Sequence, residues 1–426
     1  MQTSDVQELT FQSLHRPLLY RAVNTIGTCL IKQGISIANF NVDSLKQDAQ
    51  KKTALHDFGS NSFCEPLDVL AECLNREAKL NAVGQYMMRK LLVDLLAERL
   101  RIQDFTQRSP KSLDEKIEKP LFVIGLPRSG TTFLFNLLCQ DPNSVWIKHW
   151  ELCLPPQHLY GDRLSQEEKH RLIQSCRQDL WLFKFLVPHI EKVHPVDITG
   201  PDECSYLLHR GFVNPLFAVY ANIPTYLQWI ESTWLKDEKA SIDLYQYYCQ
   251  QIQILQYRNN HNSRGKDRTH WVFKSPVHIT SLDSILTVFP DACFVHIHRD
   301  PLETVPSNCS LIAMMRGIFS DDVFLEDIGH QWLEWLSKAA KNVRTIRQDN
   351  PDMNITDIEY DQFINNPVAT IREVYQRFDY AFPKTLEETL RRYILDHPKG
   401  KHGRHVYSLE QFGLNIGKIR QSFGTK

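Results

Sequence analysis

Apolar positions along this 426-residue chain fall into two rhythms. Across residues 81–100 they recur every three or four places, so that Met88, Leu91, Leu92, Leu95 and Leu96 share one face of a helix. Glu98 and Arg99 are then expected towards water, and Asn81 supplies a capping side chain at the helix start. Residues 1–118 as a whole read as a helical N-terminal region. From Leu121 onward the pattern changes to short strand-like runs: the apolar LFVI at Leu121, WVFKS at Trp271, CFVHIHR at Cys293 and, as a fourth candidate, ITDIEY at Ile355. Each is followed by a helical pattern, and strands that are apolar on both faces belong to parallel sheets covered by helices. The expected fold is therefore α/β, a parallel sheet flanked by helices over residues 119–426, and the glycine loop GLPRSGTT between its first strand and helix makes it P-loop-like. Residues 109–120, SPKSLDEKIEKP, are polar and bounded by prolines, and read as the linker between the two regions.

Within the α/β unit, residues 150–265 read as a helical insertion rich in aromatics, among them Trp181, Phe183, Phe185, Tyr206, Phe212, Phe217, Tyr220, Tyr226, Trp229 and Trp234. Aromatic-lined concave sites favour apolar or aryl acceptors, although aromatics at helical spacing more often build plain core. Composition is that of an ordinary globular protein, 42% hydrophobic and 23% charged, with a formal net charge of -1. That balance gives no global attraction to nucleic acid, so any anion site must be a local cluster. The ten cysteines are scattered without a C-x-x-C pair, which fits reduced, buried thiols. The N-terminus carries no signal-peptide pattern and no run is long enough to span a membrane, so the expected location is cytoplasmic, with the oligomeric state open.

The segment LFVIGLPRSGTT places glycines at 125 and 130 between a strand and a helix. Glycines allow the backbone to turn sharply and approach a ligand, and N–H groups at the following helix start converge on an anion. The spacing is nearly that of the nucleotide-binding loop G-x4-G-K-[ST], but Thr131 stands where its lysine would be, and the cation has moved to Arg128. No strand ends in a magnesium-binding aspartate of the usual kind, since CFVHIHRD carries Arg299 before its acid. Both changes count against a small-molecule kinase.

In these motifs the chain resembles the sulfotransferases whose loop reads G-x-PRSGTT. Further segments similar to that group follow its order: DFGSNSFCEPL at 57–67, HWELCLPP at 149–156, GPDECSYLL at 200–208, WVFKSPVHI at 271–279, VHIHRDPLETVPS at 295–307 and HVYSLEQFGLN at 405–415. The resemblance implies 3′-phosphoadenosine 5′-phosphosulfate (PAPS) as the donor. Its phosphosulfate end would be held by Pro127, Arg128, Ser129, Gly130, Thr131 and Thr132, and its 3′-phosphate by Arg299 and by Ser307, eight residues on. Lys401 and Arg404, in the basic KGKHGRH run, would close over the nucleotide. Guanidinium and hydroxyl groups are suited to gripping phosphate. Pro306 precedes Ser307, which implies that the helix after Asp300 begins late, near Thr304, or that Ser307 points elsewhere.

Sulfuryl transfer needs charge stabilised on the departing oxygen and a proton taken from the acceptor, with no metal required. The resemblance gives the first task to Arg128 and to Lys274, with the hydroxyls of Thr131 and Thr132. For the second, Pro276 occupies the place of the histidine used by phenol-type relatives. Glu203 is the first candidate for the base, His278 the second and His149 the third. The expected activity is sulfuryl transfer from PAPS to a hydroxyl or amine of a small-molecule, lipid or carbohydrate acceptor. A P-loop kinase and a catalytically silent nucleotide-binding module are the alternatives.

Overall fold

Five parallel strands form one sheet in the order β2-β3-β1-β4-β5: β1 Leu121–Ile124, β2 Ser144–Val145, β3 His270–Lys274, β4 Cys293–His298 and β5 Ile355–Glu359. The computed structural model describes residues 16–34, 37–152, 166–186, 196–262, 270–397 and 408–424. β1 is central, pairing Phe122 with Phe273 on one side and with Phe294 on the other. Every residue of β1 is buried, which explains its unbroken apolar run. Four of the strands were legible in the sequence, three of them as largely apolar runs. β2 was not, because two residues carry no periodicity.

Helices cover both faces. On one, Leu134 and Leu138 of the loop helix Thr131–Leu138 pack with Val123, Val295, Ile371 and Tyr375. On the other, the sheet shares a core with the N-terminal helices Val42–Thr53, Cys64–Arg76 and Ala82–Arg108, whose Leu45, Leu67 and Leu92 belong to the same apolar cluster as Phe122 and Phe273. The residue 109–120 segment opens in a short turn, Pro110–Asp114, and is tied to the long helix Glu238–Asn262. There the Gln253 amide donates to the carbonyls of Leu113 at 2.9 Å and Glu115 at 3.0 Å.

Asn81 caps its helix as expected, its side chain accepting from the Gly84 N–H at 2.8 Å. The helix runs on to Arg108, and its polar face is corrected: Glu98 and Arg99 are buried, at 8% and 2% exposure. Arg210 from the insertion neutralises Glu98, while Arg99 donates to the carbonyls of Arg210, Phe58 and Ser60 between the rings of Phe63 and Tyr247. The insertion covers this helix, a partner that a single helical wheel does not reveal. The insertion is helical where described, and Phe212, Phe217 and Tyr226 are core, whereas Trp181 and Phe185 stack on each other at an exposed surface. Among the described residues no helix is long and apolar enough to cross a membrane.

Candidate active site

The carboxyl ends of β1, β3 and β4 bring the predicted residues to one edge of the sheet. After Ile124 the chain turns through Gly125, at φ 153°, then Arg128, at φ 69°, and Gly130, at φ 98°, into the loop helix. A Cβ on Gly130 would lie 2.8 Å from the Tyr360 ring, and one on Gly125 would lie 2.8 Å from the Ile297 carbonyl and 2.9 Å from Ser129 Oγ. Only glycine fits both the backbone and the space. No side chain caps the loop helix, so its first N–H groups face the loop. Ser129 Oγ is fully buried there without a hydrogen-bond partner. An uncapped helix start, a glycine cradle and a buried orphan hydroxyl suit an anionic group.

Arg128 Nε donates to Ser307 Oγ at 3.2 Å, joining the loop to the helix after β4. That helix, Pro301–Phe319, starts at Pro301, with the Asp300 side chain accepting from the Leu302 N–H at 2.8 Å, and runs through Pro306. Both readings drawn from Pro306 are thus corrected: the helix does not start late, and Ser307 faces the loop. Proline here removes one backbone bond, the donor to the Leu302 carbonyl, and the remaining turns hold the helix together. Arg299, between strand and helix, donates to the Arg128 carbonyl at 3.1 Å and to Glu303 Oε2 at 2.9 Å, and stacks 4.1 Å from the centroid of Tyr360. Sequence reasoning missed Tyr360 and Glu303. ITDIEY was read as strand to its end, but Tyr360 opens the next helix, Tyr360–Asn365.

Lys274 ends β3, beside Val123. Its ammonium is buried and pairs with Glu203 Oε1. The Glu203 segment is stitched to the same strand end by the Cys204 N–H, which donates to the Lys274 carbonyl at 3.2 Å. Tyr220 lies close by, its phenol pushed up to about 12 by burial and by the charges of Glu203 and Asp202. His278 is fully buried, with Nε2 3.1 Å from Cys204 Sγ and Nδ1 2.9 Å from Tyr245 Oη. Burial depresses its pKa to about 3. Both ring nitrogens are occupied inside the core, so the structure gives His278 a packing role where a base was considered. His149, itself buried, bonds Asp202 of the same segment. Lys401 and Arg404 lie outside the described residues.

A parallel sheet with a glycine loop at the end of its central strand, an arginine at the next strand end and a lysine–carboxylate pair beside it suits a group-transfer enzyme. The sequence profile of the Sulfotransferase family matches residues 120–384, more than half of the chain, and the chain belongs to that family. It is 23% identical over 323 residues to the omega-hydroxy-beta-dihydromenaquinone-9 sulfotransferases Stf3 of Mycobacterium bovis and Mycobacterium tuberculosis, covering 72% of this chain and 75% of theirs. Among solved structures, sulfotransferase STF1 from Mycobacterium tuberculosis matches at 25% identity and TM-score 0.75, over 90% of this chain and 98% of that one. Sulfotransferase STF9 from Mycobacterium avium matches at 22% and TM-score 0.78, over 90% and 95%. The protein is a sulfotransferase, and family membership implies PAPS as its sulfate donor.

Proposed function

We propose that this enzyme moves the sulfuryl group of PAPS onto the hydroxyl of an apolar, lipid-like acceptor, with Glu203 as the base. The observation that carries the reading is the Lys274–Glu203 pair, set at the end of β3 beside the glycine loop. One member supplies positive charge for the departing oxygen, and the other can take the acceptor proton. Residues 127–132 hold the phosphosulfate end, with Arg128 and Lys274 stabilising the charge that develops as the S–O bond breaks. Arg299 and Ser307 hold the 3′-phosphate through a guanidinium fork and a hydroxyl.

Two observations support an apolar acceptor. The Stf3 relatives are named for a hydroxylated menaquinone, and Trp181 and Phe185 present a stacked, exposed aromatic pair on the insertion helix Gln166–Leu186. The test is transfer of labelled sulfate from PAPS to a panel comprising a hydroxylated prenyl quinone, a phenol, an amine and a monosaccharide. The reading predicts labelling of the prenyl quinone. Labelling of the monosaccharide or amine alone overturns the acceptor class.

A further inference from the structure

Two segments, 147–152 and 198–204, contribute only Glu203 to the proposed chemistry, yet the structure knits them together. The His149 N–H donates to the Gly200 carbonyl at 3.2 Å, Trp150 N–H to Ile198 at 3.0 Å, and Asp202 N–H back to Ile147 at 3.0 Å. Lys148 and Pro201 form an isolated antiparallel bridge between them. Side chains complete the link. His149 Nδ1 bonds Asp202 Oδ2, and Asp202 Oδ1 accepts the backbone N–H of Glu203 at 2.6 Å. On its other side Glu203 is followed by the Cys204 N–H on the Lys274 carbonyl.

From this geometry we infer that His149 and Asp202 are positioning residues, a charged clamp that fixes the Glu203 backbone and so aims its carboxylate at the reacting oxygen. The inference rests on Glu203 being the base. Two features make the clamp stiff. His149 is 8% exposed, so little water competes for its ring. Burial alone would disfavour a charged imidazole there, but hydrogen bonds to Asp202 and Cys176 outweigh it and raise the pKa to about 9. At neutral pH the ring is an imidazolium, the bond to Asp202 is charge-assisted, and the histidine has no lone pair with which to act as the base itself. Asp202 in turn spends one oxygen on the ring and the other on the Glu203 N–H, so its carboxylate is fixed at both ends. Misplacing a reacting group by about 1 Å can cost on the order of 10²-fold in rate.

The experiment compares His149→Ala, His149→Gln, Asp202→Asn and Glu203→Gln. It measures kcat for sulfate transfer to the hydroxylated prenyl quinone, KM for PAPS, affinity for adenosine 3′,5′-bisphosphate and the melting temperature. The clamp predicts that His149→Ala and Asp202→Asn lower kcat about 10- to 100-fold with donor KM and bisphosphate affinity nearly unchanged. His149→Gln, whose amide can still donate to Asp202, should recover part of the loss. In the Glu203→Gln background, Asp202→Asn should cost nothing further, because there is no longer a base to aim. If Glu203→Gln abolishes transfer while the two clamp variants keep wild-type kcat, the clamp is wrong and the base assignment stands. Loss of bisphosphate affinity and melting temperature in step with kcat also overturns it, as that marks a purely structural brace. If Glu203→Gln transfers normally, the base assignment itself fails. A readout that needs no acceptor is the low-field imidazolium Nδ1–H resonance of His149 in 15N-labelled protein at pH 7. It should be present in the wild type and lost in Asp202→Asn, and its absence from the wild type contradicts the clamp.

Discussion

Arg299 donates from Nε to Glu303 Oε2 at 2.9 Å, so the side chain proposed to grip the 3′-phosphate is already held by a carboxylate one helical turn away. A phosphate must compete with Glu303 for that guanidinium. The pair is partly open to water, Glu303 more than Arg299, and solvent-exposed pairs contribute roughly 0–1 kcal/mol. Glu303→Gln is therefore expected to tighten bisphosphate binding modestly, by up to about fivefold, and Arg299→Ala to weaken it at least tenfold. Titration calorimetry at fixed ionic strength checks both.

Lys274 is buried against Glu203, so its removal has two consequences. Lys274→Met withdraws positive charge from the departing oxygen, and loss of one such donor costs about 10²–10³ in kcat. It also strands a carboxylate without its counter-ion, which lowers the melting temperature. Transfer kinetics and thermal melting, read on the same preparation, separate the two effects.

Gly130 sits at φ 98° against the ring of Tyr360. Gly130→Ala combines a strained backbone with a contact that the ring must yield to, and such strain costs about 1–3 kcal/mol. Bisphosphate affinity should fall about tenfold or more, with the sheet intact by far-UV circular dichroism.

His278 is held neutral in the core, its pKa depressed by burial to about 3 against an ordinary 6.5. Protonation is thus easier in the unfolded chain, and the stability it contributes is present above pH 6.5 and lost as pH falls through 3. His209 and His270, both near 4 through burial, act with the same sign. His149 has the opposite sign: its contribution is present below 6.5 and lost as pH rises through about 9. The melting temperature should decline on both sides of neutrality, and His278→Asn should flatten the acid side.

How much of this was legible depended on whether a residue's role is local. The strands at Leu121, Trp271 and Cys293 announce themselves because burial on both faces leaves nearly continuous apolar runs, whereas the edge strand at Ile355 is half exposed and mixes apolar with polar positions. The loop is legible for a similar reason, since glycine spacing encodes backbone geometry directly. Glu98 and Arg99 were misplaced because their buried partners come from residues far along the chain, Arg210 for the one and the Arg210 carbonyl for the other. Pro306 misled because propensity at one position is overruled by the packing of a nineteen-residue helix. His278 looked like chemistry in sequence, but its neighbours Cys204 and Tyr245 come from other elements and place it in the core. The Asp202–His149 contact joins residues 53 positions apart and has no signature in either segment alone.

The donor assignment is tested most directly by calorimetry of the purified protein with adenosine 3′,5′-bisphosphate and, separately, with Mg²⁺-ATP. One bisphosphate site is expected, formed without a divalent metal and lost in Arg299→Ala, with ATP binding far more weakly. Tight Mg²⁺-ATP binding with no bisphosphate binding would contradict it.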